Sequence, residues 1–172
     1  FMNAGGLSKR IVEMAGAFVG HLRGGLGYVA IIAALLLASL SGSAVADTAA
    51  LAAILVPMMR SAGYSVSRSC GLMAAGGIIA PVIPPSIGFL LFGVVANVSI
   101  TKLFFAGIAP GVMMALALVV SWWVVSRKES AQLSPRLSWR TRLSLMGKGF
   151  WALLLPVIII GGLKFGVFTP TE

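Results

Sequence analysis

Long apolar stretches alternate with short segments of small, polar or proline residues along this chain. The apolar stretches cover residues 27–59, 70–96, 108–125 and 150–162. A helix needs roughly 20 residues to cross the hydrocarbon core of a bilayer, and several of the stretches approach or exceed that length. The composition is 59% hydrophobic and only 10% charged. Together these features predict an all-α integral membrane protein built as a multi-span helical bundle.

The first apolar stretch is interrupted by the segment SGSAVAD at 41–47. The limbs on either side, 27–40 and 48–59, are each shorter than the roughly 20 residues of a complete span. Two interpretations follow. Either 25–46 crosses the membrane once, or 25–60 forms a re-entrant hairpin that enters and leaves on the same side.

The positions of the cations favour the hairpin. Cytoplasmic segments are enriched in Lys and Arg, and only the hairpin keeps Arg23, Arg60 and Arg68 on one side of the membrane. The predicted segments are then an interfacial helix at 8–23, the hairpin at 25–60, a broken transmembrane helix at 69–96, an outer loop at 97–104, a transmembrane helix at 106–126, a cytoplasmic connection with a surface helix at 127–149, and a transmembrane helix at 150–164. All of the 13 cations except Lys102 and Lys164 are then inside.

Contact with the membrane surface is predicted at two places. The segment 8–23 has an apolar stripe formed by Ile11, Met14, Ala15, Phe18 and Leu22. Such a stripe is typical of a helix that lies on the membrane, although the segment could equally be the cytoplasmic end of a span. Trp122 and Trp123 fall near the inner end of 106–126, where interfacial anchors are common.

The middle of the second long stretch reads GGIIAPVIPPS, residues 76–86. Pro84 and Pro85 lack a backbone N–H, and each clashes with the preceding helical turn. Lipid cannot satisfy the carbonyls that are released, so irregular backbone at membrane depth survives only against protein or a wet cavity. We predict half-helices at 70–83 and 87–96, with a simple proline kink as the alternative.

Each break exposes main-chain groups beside small polar side chains. Interrupted helices near the bilayer midplane are typical of ion and solute sites in secondary transporters. Asp47 can cap a helix, pair with a cation or take up a proton, because a carboxylate in an apolar region is usually functional. The candidate site residues are Ser41, Gly42, Ser43, Asp47, Pro84, Pro85 and Ser86. Backbone or hydroxyl oxygens of Ser41, Gly42, Ser43, Pro84 and Ser86 are the predicted Na⁺ ligands, and the helix N-termini would face an anion.

Charge and residue counts exclude several other classes of protein. The net charge is +9, but the cations flank the apolar stretches, which is typical of anionic lipid contact and not of nucleic-acid binding. Cys70 is the single cysteine, so neither a disulfide framework nor a cysteine metal cluster is expected.

An intramembrane aspartyl protease needs two aspartates, and Asp47 is alone. A serine protease needs a base, and His21 is expected at the surface. An ion channel would need a continuous polar helix face, which no predicted helix has.

Three segments in order, SGSAVADTAALAAILVPMMRSAGY, GGIIAPVIPPSIGFLLFGV and SITKLFFAGIAPG, resemble the large membrane subunit of tripartite ATP-independent periplasmic (TRAP) transporters. The likeness extends over 25–172 and ends in GVFTPTE. It implies a permease with two inverted repeats, each with a re-entrant hairpin and a broken helix. Residues 1–172 would form a single membrane domain that is a fragment of this larger permease.

The resemblance also implies an activity. Members import an organic acid anion across the bacterial inner membrane by an elevator-type movement that a Na⁺ gradient drives. The implied partners are a small membrane subunit and a periplasmic solute-binding protein, with no cofactor besides the coupling Na⁺. Na⁺ ligation carries over to 41–43 and 84–86, whereas Asp47 is less typical of the family. The alternatives are a Na⁺/anion symporter that works without a binding protein, and an ion channel or membrane scaffold.

The hairpin makes a testable prediction about topology. A cysteine introduced by Ser61→Cys, in a chain whose Cys70 is replaced by Ala, should react with a membrane-impermeant thiol reagent only from the cytoplasm. The reason is that both limbs of a re-entrant hairpin end on the side where they begin. Labelling in right-side-out and inside-out vesicles measures this, and labelling from the periplasm would establish the single crossing instead.

Overall fold

The computed structural model describes residues 6–127 and five isolated positions beyond them, 147, 154, 158, 161 and 162. In this part of the chain all regular secondary structure is helical, as the hydrophobic pattern predicts. The helices are α1 (Leu7–Val19), α2 (Gly25–Ser41), α3 (Ala44–Ser61), α4 (Val66–Gly77), α5 (Ile87–Val95) and α6 (Ile100–Ser126). The predicted segments 127–149 and 150–164 lie outside the described residues, apart from Arg127 and the isolated positions.

Helix α1 packs along α2 and is shorter than the predicted 8–23. The first three residues of its apolar stripe are buried, but Phe18 and Leu22 are 37% and 43% exposed. The helix ends at Val19, and Gly24, with φ of 77°, precedes the start of α2. Leu22 therefore lies in the turn between the helices, and the prediction that it belongs to the apolar stripe of this helix is wrong.

Helices α2 and α3 are joined by a turn of only two residues, Gly42 and Ser43. Gly42 has a φ of 62°, a left-handed conformation that glycine adopts without steric cost. The Ser43 hydroxyl accepts a hydrogen bond from the Ala46 N–H at 3.5 Å, which caps α3. The predicted break at 41–47 is therefore too long, because 44–47 form the first turn of α3.

The two limbs of this helical hairpin are longer than predicted. Helices α2 and α3 contain 17 and 18 residues, which at about 1.5 Å per residue gives about 27 Å for α3. By length and composition, α3 and α6 can each cross a membrane, and α2 is a shorter apolar helix. The expectation that neither limb is long enough to span is therefore wrong for α3, and the arginine distribution remains the support for a re-entrant course.

The second break is wider than predicted. Helix α4 ends at Gly77 and not at 83, whereas α5 begins where the sequence predicts. The N–H groups of Ile79 and Ala80 donate to carbonyls three residues back, at 3.2 Å each, so the chain leaves α4 through tight turns. Pro81 and the prolines after it remove donors that a continuing α-helix would need.

Helix α6 also differs from its predicted bounds of 106–126, because it begins at Ile100. The Ser99 hydroxyl accepts a hydrogen bond from the Lys102 N–H at 3.4 Å, and this cap starts the helix. Most of the predicted loop at 97–104 is therefore helical, and Lys102 lies in the first turn of α6.

The principal core lies among α1, α2, α3 and α4 and the last turns of α6. Its largest fully buried side chains include Ile11, Ile31, Leu37, Leu51, Leu55, Met59 and Met73. Helix α5 packs mainly on α6 and buries only Gly93. The outer faces of α5 and α6 expose large apolar side chains, as a chain surrounded by lipid or further protein requires.

Trp122 and Trp123 have different roles, contrary to the prediction that both are interfacial anchors. Trp122 is 3% exposed, its indole N–H donates to the Gly24 carbonyl at 2.8 Å, and its ring lies 6.0 Å from that of Tyr64. A Cβ atom at Gly27 would overlap the indole. Trp123 is 48% exposed, because neighbouring residues on a helix point in different directions.

Two glycines of α4 test how tightly this helix packs. A Cβ at Gly77 would lie 3.1 Å from the Thr48 Cβ and 3.3 Å from the Ala44 carbonyl oxygen, whereas nothing lies within 4 Å of one at Gly71. Gly77→Ala should therefore destabilise the protein by about 1–3 kcal/mol, the usual cost of overpacking. Gly71→Ala should be neutral or stabilising by up to about 1 kcal/mol. Thermal unfolding in detergent measures both, and equal effects would contradict the packing of α4 on α3.

Candidate functional site where the two helix breaks meet

The turn of the α2–α3 hairpin lies directly against the break between α4 and α5. A Cβ at Gly42 would overlap the carbonyl oxygen of Pro85 and would lie 3.1 Å from the Ser86 Cα and 3.3 Å from the Ile87 nitrogen. The main chains are therefore in van der Waals contact with no side chain between them. Residues that are far apart in sequence thus form one region of irregular backbone.

A short hydrogen-bond network organises the hairpin turn. The Ser41 hydroxyl donates to Asp47 Oδ1 at 2.6 Å and accepts from the Ser43 N–H at 3.0 Å. The Ser43 N–H therefore bonds to a side chain, and the last carbonyls of α2 lack that helical donor. The turn therefore presents hydroxyl and carbonyl oxygens close together, and such oxygens can replace the water ligands of a small cation.

Asp47 is held inside the protein and is only partly satisfied. It is 3% exposed. Its Oδ1 accepts the Ser41 hydroxyl, whereas its Oδ2 is buried without a hydrogen-bond partner in the described part of the chain. A buried carboxylate oxygen without a partner is costly, and a cation bound beside it would remove that cost. Asp47 does not cap α3, since Ser43 has that position.

Ser86 organises the second break in a similar way. Its hydroxyl donates to the Pro81 carbonyl at 2.6 Å and accepts from the Phe89 N–H at 3.3 Å. It thereby caps α5 and ties the start of α5 to the irregular segment before it. The N-terminus of α5, with its unsatisfied N–H groups and positive dipole end, consequently begins beside the hairpin turn.

Glycines allow α6 to cover this irregular backbone from the other side. A Cβ at Gly107 would overlap the Val82 carbonyl oxygen and the Phe89 ring, and one at Gly111 would lie 2.5 Å from the Ile83 Cγ1. Main chain that cannot be satisfied by lipid is therefore enclosed by protein. The broken segment has α6 on one side and the hairpin on another.

All seven predicted site residues lie in or directly beside the hairpin turn and the irregular segment before α5, although their contacts differ. Ser41, Ser43 and Asp47 share one hydrogen-bond network, and Gly42 makes the contact with the second break. Pro84 is buried. A cation held here would depend on neutral oxygens and Asp47, because the described residues contain no group of three or more His, Cys, Asp or Glu side chains that could hold a metal.

Sequence reasoning missed residues that bring the breaks together. Gly76 and Gly77 let the end of α4 approach the hairpin closely: Gly76 packs on Ala34, and Gly77 packs on Thr48 and the Ala44 carbonyl. The signal was present as a pair of glycines at the start of the irregular segment. Their role depends on which helix they face, and the sequence pattern does not specify that.

Comparison with known proteins decides the family. The family model described as the DctM component of the tripartite ATP-independent periplasmic transporter matches residues 1–172. The chain belongs to this family. As a member of the DctM family it is an integral membrane protein of a transporter and not an enzyme, in agreement with the resemblance of the three sequence segments.

Individual DctM relatives support the same assignment. The chain is 58% identical over 171 residues to the 2,3-diketo-L-gulonate TRAP transporter large permease protein of Escherichia coli. The matched region covers 99% of this chain and 40% of that protein. It is 43% identical to a sialic acid TRAP transporter permease protein of Haemophilus influenzae, over 99% of this chain and 28% of that protein. It is 41% identical to the C4-dicarboxylate large permease protein of Pseudomonas aeruginosa, over 100% of this chain and 40% of that protein. This DctM chain thus spans two fifths or less of the length of these relatives.

The contact between the breaks predicts different effects for two left-handed glycines. Gly42 and Gly63 have φ of 62° and 90°, but only at Gly42 would a Cβ meet other atoms. Alanine should cost roughly 1–2 kcal/mol of conformational energy at either position. Gly42→Ala should lower the free energy of unfolding by about 1–3 kcal/mol more than Gly63→Ala, because the new Cβ forces the two breaks apart.

Thermal unfolding of Gly42→Ala and Gly63→Ala in the same detergent isolates this contact. A larger loss of melting temperature is expected for Gly42→Ala. Equal losses would mean that the two breaks do not touch in the protein.

Proposed function

We propose that this chain forms part of the permease of a Na⁺-coupled TRAP transporter that imports an organic acid anion across the bacterial inner membrane. In this proposal a periplasmic solute-binding protein delivers the anion, and a small membrane subunit associates with the permease. The chain contributes a region that binds Na⁺ and helps to receive the anion.

The observation that supports the proposal most strongly is the contact of the Gly42 turn with the backbone of Pro85 and Ser86. Two interrupted helices that meet within the membrane are the usual construction of ion and solute sites in secondary transporters. An isolated proline kink, the simpler interpretation of the second break, would not need a glycine turn from another hairpin against it.

Na⁺ suits the groups present at the hairpin turn. Na⁺ is coordinated by backbone and hydroxyl oxygens, and the hairpin turn supplies such oxygens from Ser41, Gly42 and Ser43. The Ser41 hydroxyl donates a hydrogen bond to Asp47 and accepts one from the Ser43 N–H, which leaves one lone pair of its oxygen for a cation. The unpartnered Asp47 Oδ2 adds negative charge nearby. On the second break, Pro84 and Ser86 would contribute oxygens from the opposite side.

The substrate anion would face the N-terminus of α5. Its first N–H groups and positive dipole end favour negative charge, and a neighbouring Na⁺ would reduce the cost of desolvating the anion. Both ligands then bind better together than alone, which is the thermodynamic basis of symport. The differing solutes of the named relatives are all acids, and we infer that this chain provides the shared binding chemistry while other parts of the transporter select the solute.

The threading in the proposal keeps α2 and α3 as a re-entrant hairpin. Its support is the position of Arg23 and Arg60 at the two ends remote from the turn, since cations are retained in the cytoplasm. Helix α4, the irregular segment and α5 then cross outward, and α6 returns. We infer that this unit is one of two inverted repeats in the complete permease.

Na⁺ binding to the complete transporter tests the site without knowledge of the solute. Ser43→Leu should abolish Na⁺-dependent uptake and Na⁺ stabilisation, because leucine removes the cap of α3 and fills the turn. A ligand at a hundredfold excess over its Kd stabilises a protein by about 2.7 kcal/mol. The melting temperature of the purified wild type should therefore rise in NaCl relative to choline chloride at equal ionic strength.

The matched control is Ser67→Leu, on an exposed position of α4, which should keep the Na⁺-dependent rise. Loss of the rise in Ser43→Leu alone supports the site. A full Na⁺ response in Ser43→Leu would remove the hairpin turn from the ion site.

A further inference from the structure

A pair of arginines lies where the end of α6 meets the turn before α2. The indole N–H of Trp122 donates to the Gly24 carbonyl at 2.8 Å. A Cβ at Gly24 would lie 2.6 Å from that of Ser126, so the two segments touch. This contact fixes the neighbouring residues Arg23 and Arg127 relative to each other.

Two arginine residues meet at this junction, through the side chain of Arg23 and the main chain of Arg127. Arg23 Nη2 donates to the Arg127 carbonyl oxygen at 3.2 Å. The Arg127 guanidinium carbon lies 3.5 Å from the centroid of the Trp123 ring, a cation–π arrangement. Both arginines are exposed, and their hydrogen bonds leave most of their N–H donors available.

No carboxylate in the described part of the chain neutralises this pair. Within residues 6–127 the acidic side chains are Glu13 and Asp47, and Asp47 accepts the Ser41 hydroxyl. Neither acidic side chain makes an ion pair with Arg23 or Arg127. Two positive charges on neighbouring segments, without a carboxylate to neutralise them, attract an external anion, which would stabilise the junction.

The position of the pair identifies the kind of anion. Helix α6 has no charged side chain after Lys102 in its first turn, and Arg127 follows its last residue, which puts both arginines at the boundary between hydrocarbon and water. Trp123 is half exposed beside them, as aromatic residues of the headgroup layer are. Arginine binds phosphate oxygens through two parallel N–H···O bonds.

We propose that Arg23, Arg127 and Trp123 form a binding site for the phosphate of an anionic glycerophospholipid. The two guanidinium groups hold the phosphate, and the exposed apolar faces of Trp123 and the preceding turns of α6 contact the acyl chains. A bound lipid joins the end of α6 to the start of α2, and thereby stabilises the base of the hairpin whose turn meets the second break.

The complete transporter in detergent, with phosphatidylglycerol as the probe, tests this site. Added phosphatidylglycerol should raise the melting temperature of the wild type above the value in phosphatidylcholine, and native mass spectrometry should show retained lipid. The double variant Arg23→Gln/Arg127→Gln should lose at least half of that rise and of the retained lipid. The matched control Arg60→Gln, at an exposed position in the last turn of α3, should keep both.

Inorganic phosphate at equal ionic strength distinguishes a lipid from a soluble anion, and it should give no rise. An equal rise with inorganic phosphate would overturn the lipid assignment. An undiminished phosphatidylglycerol response in the double variant, or an equal loss in Arg60→Gln, would show that the arginine pair is not a specific site. If the double variant does not fold, Arg127→Gln alone should lose part of the rise, and an unchanged rise there overturns the proposal.

Discussion

The close approach of main chain to main chain at Gly42 is the constraint on which the rest of this structure depends. With no side chain at that position, the hairpin turn reaches the Pro85 carbonyl and the backbone of Ser86. Irregular backbone in a membrane protein must be enclosed by protein or line a cavity. The hairpin encloses one side of the α4–α5 break, and the glycines of α6 enclose the other.

This enclosure accounts for the distribution of small residues. Gly77, Gly107 and Gly111 each face backbone or side chains that a Cβ would meet, whereas Gly71 faces open space. The same arrangement buries Asp47 and Ser86, one beside each break. The Na⁺ site that we propose consists of neutral oxygens and one carboxylate, Asp47, so that few charges must be desolvated when the ion exchanges.

Hydrophobic pattern and proline placement were sufficient to predict the helices and both breaks. The bounds were less accurate, and the errors have specific causes. The Ser43 cap starts α3 before Thr48, and the Ser99 cap starts α6 well before the predicted position. Helix α4 stops at Gly77 because the N–H groups that follow it bond to carbonyls three residues back, which forms tight turns. Caps and turns depend on a few hydrogen bonds, which periodicity does not report.

The sequence by itself determined that this chain is a helical membrane protein with interruptions near 41–47 and 84–86, because apolar length and missing proline donors act locally. Only the tertiary structure decided that the two interruptions touch, that Trp122 is buried while Trp123 is exposed, and that Arg23 lies beside Arg127. These outcomes depend on which faces of separate helices meet. That choice is made by close packing across the whole molecule, and no local segment contains it.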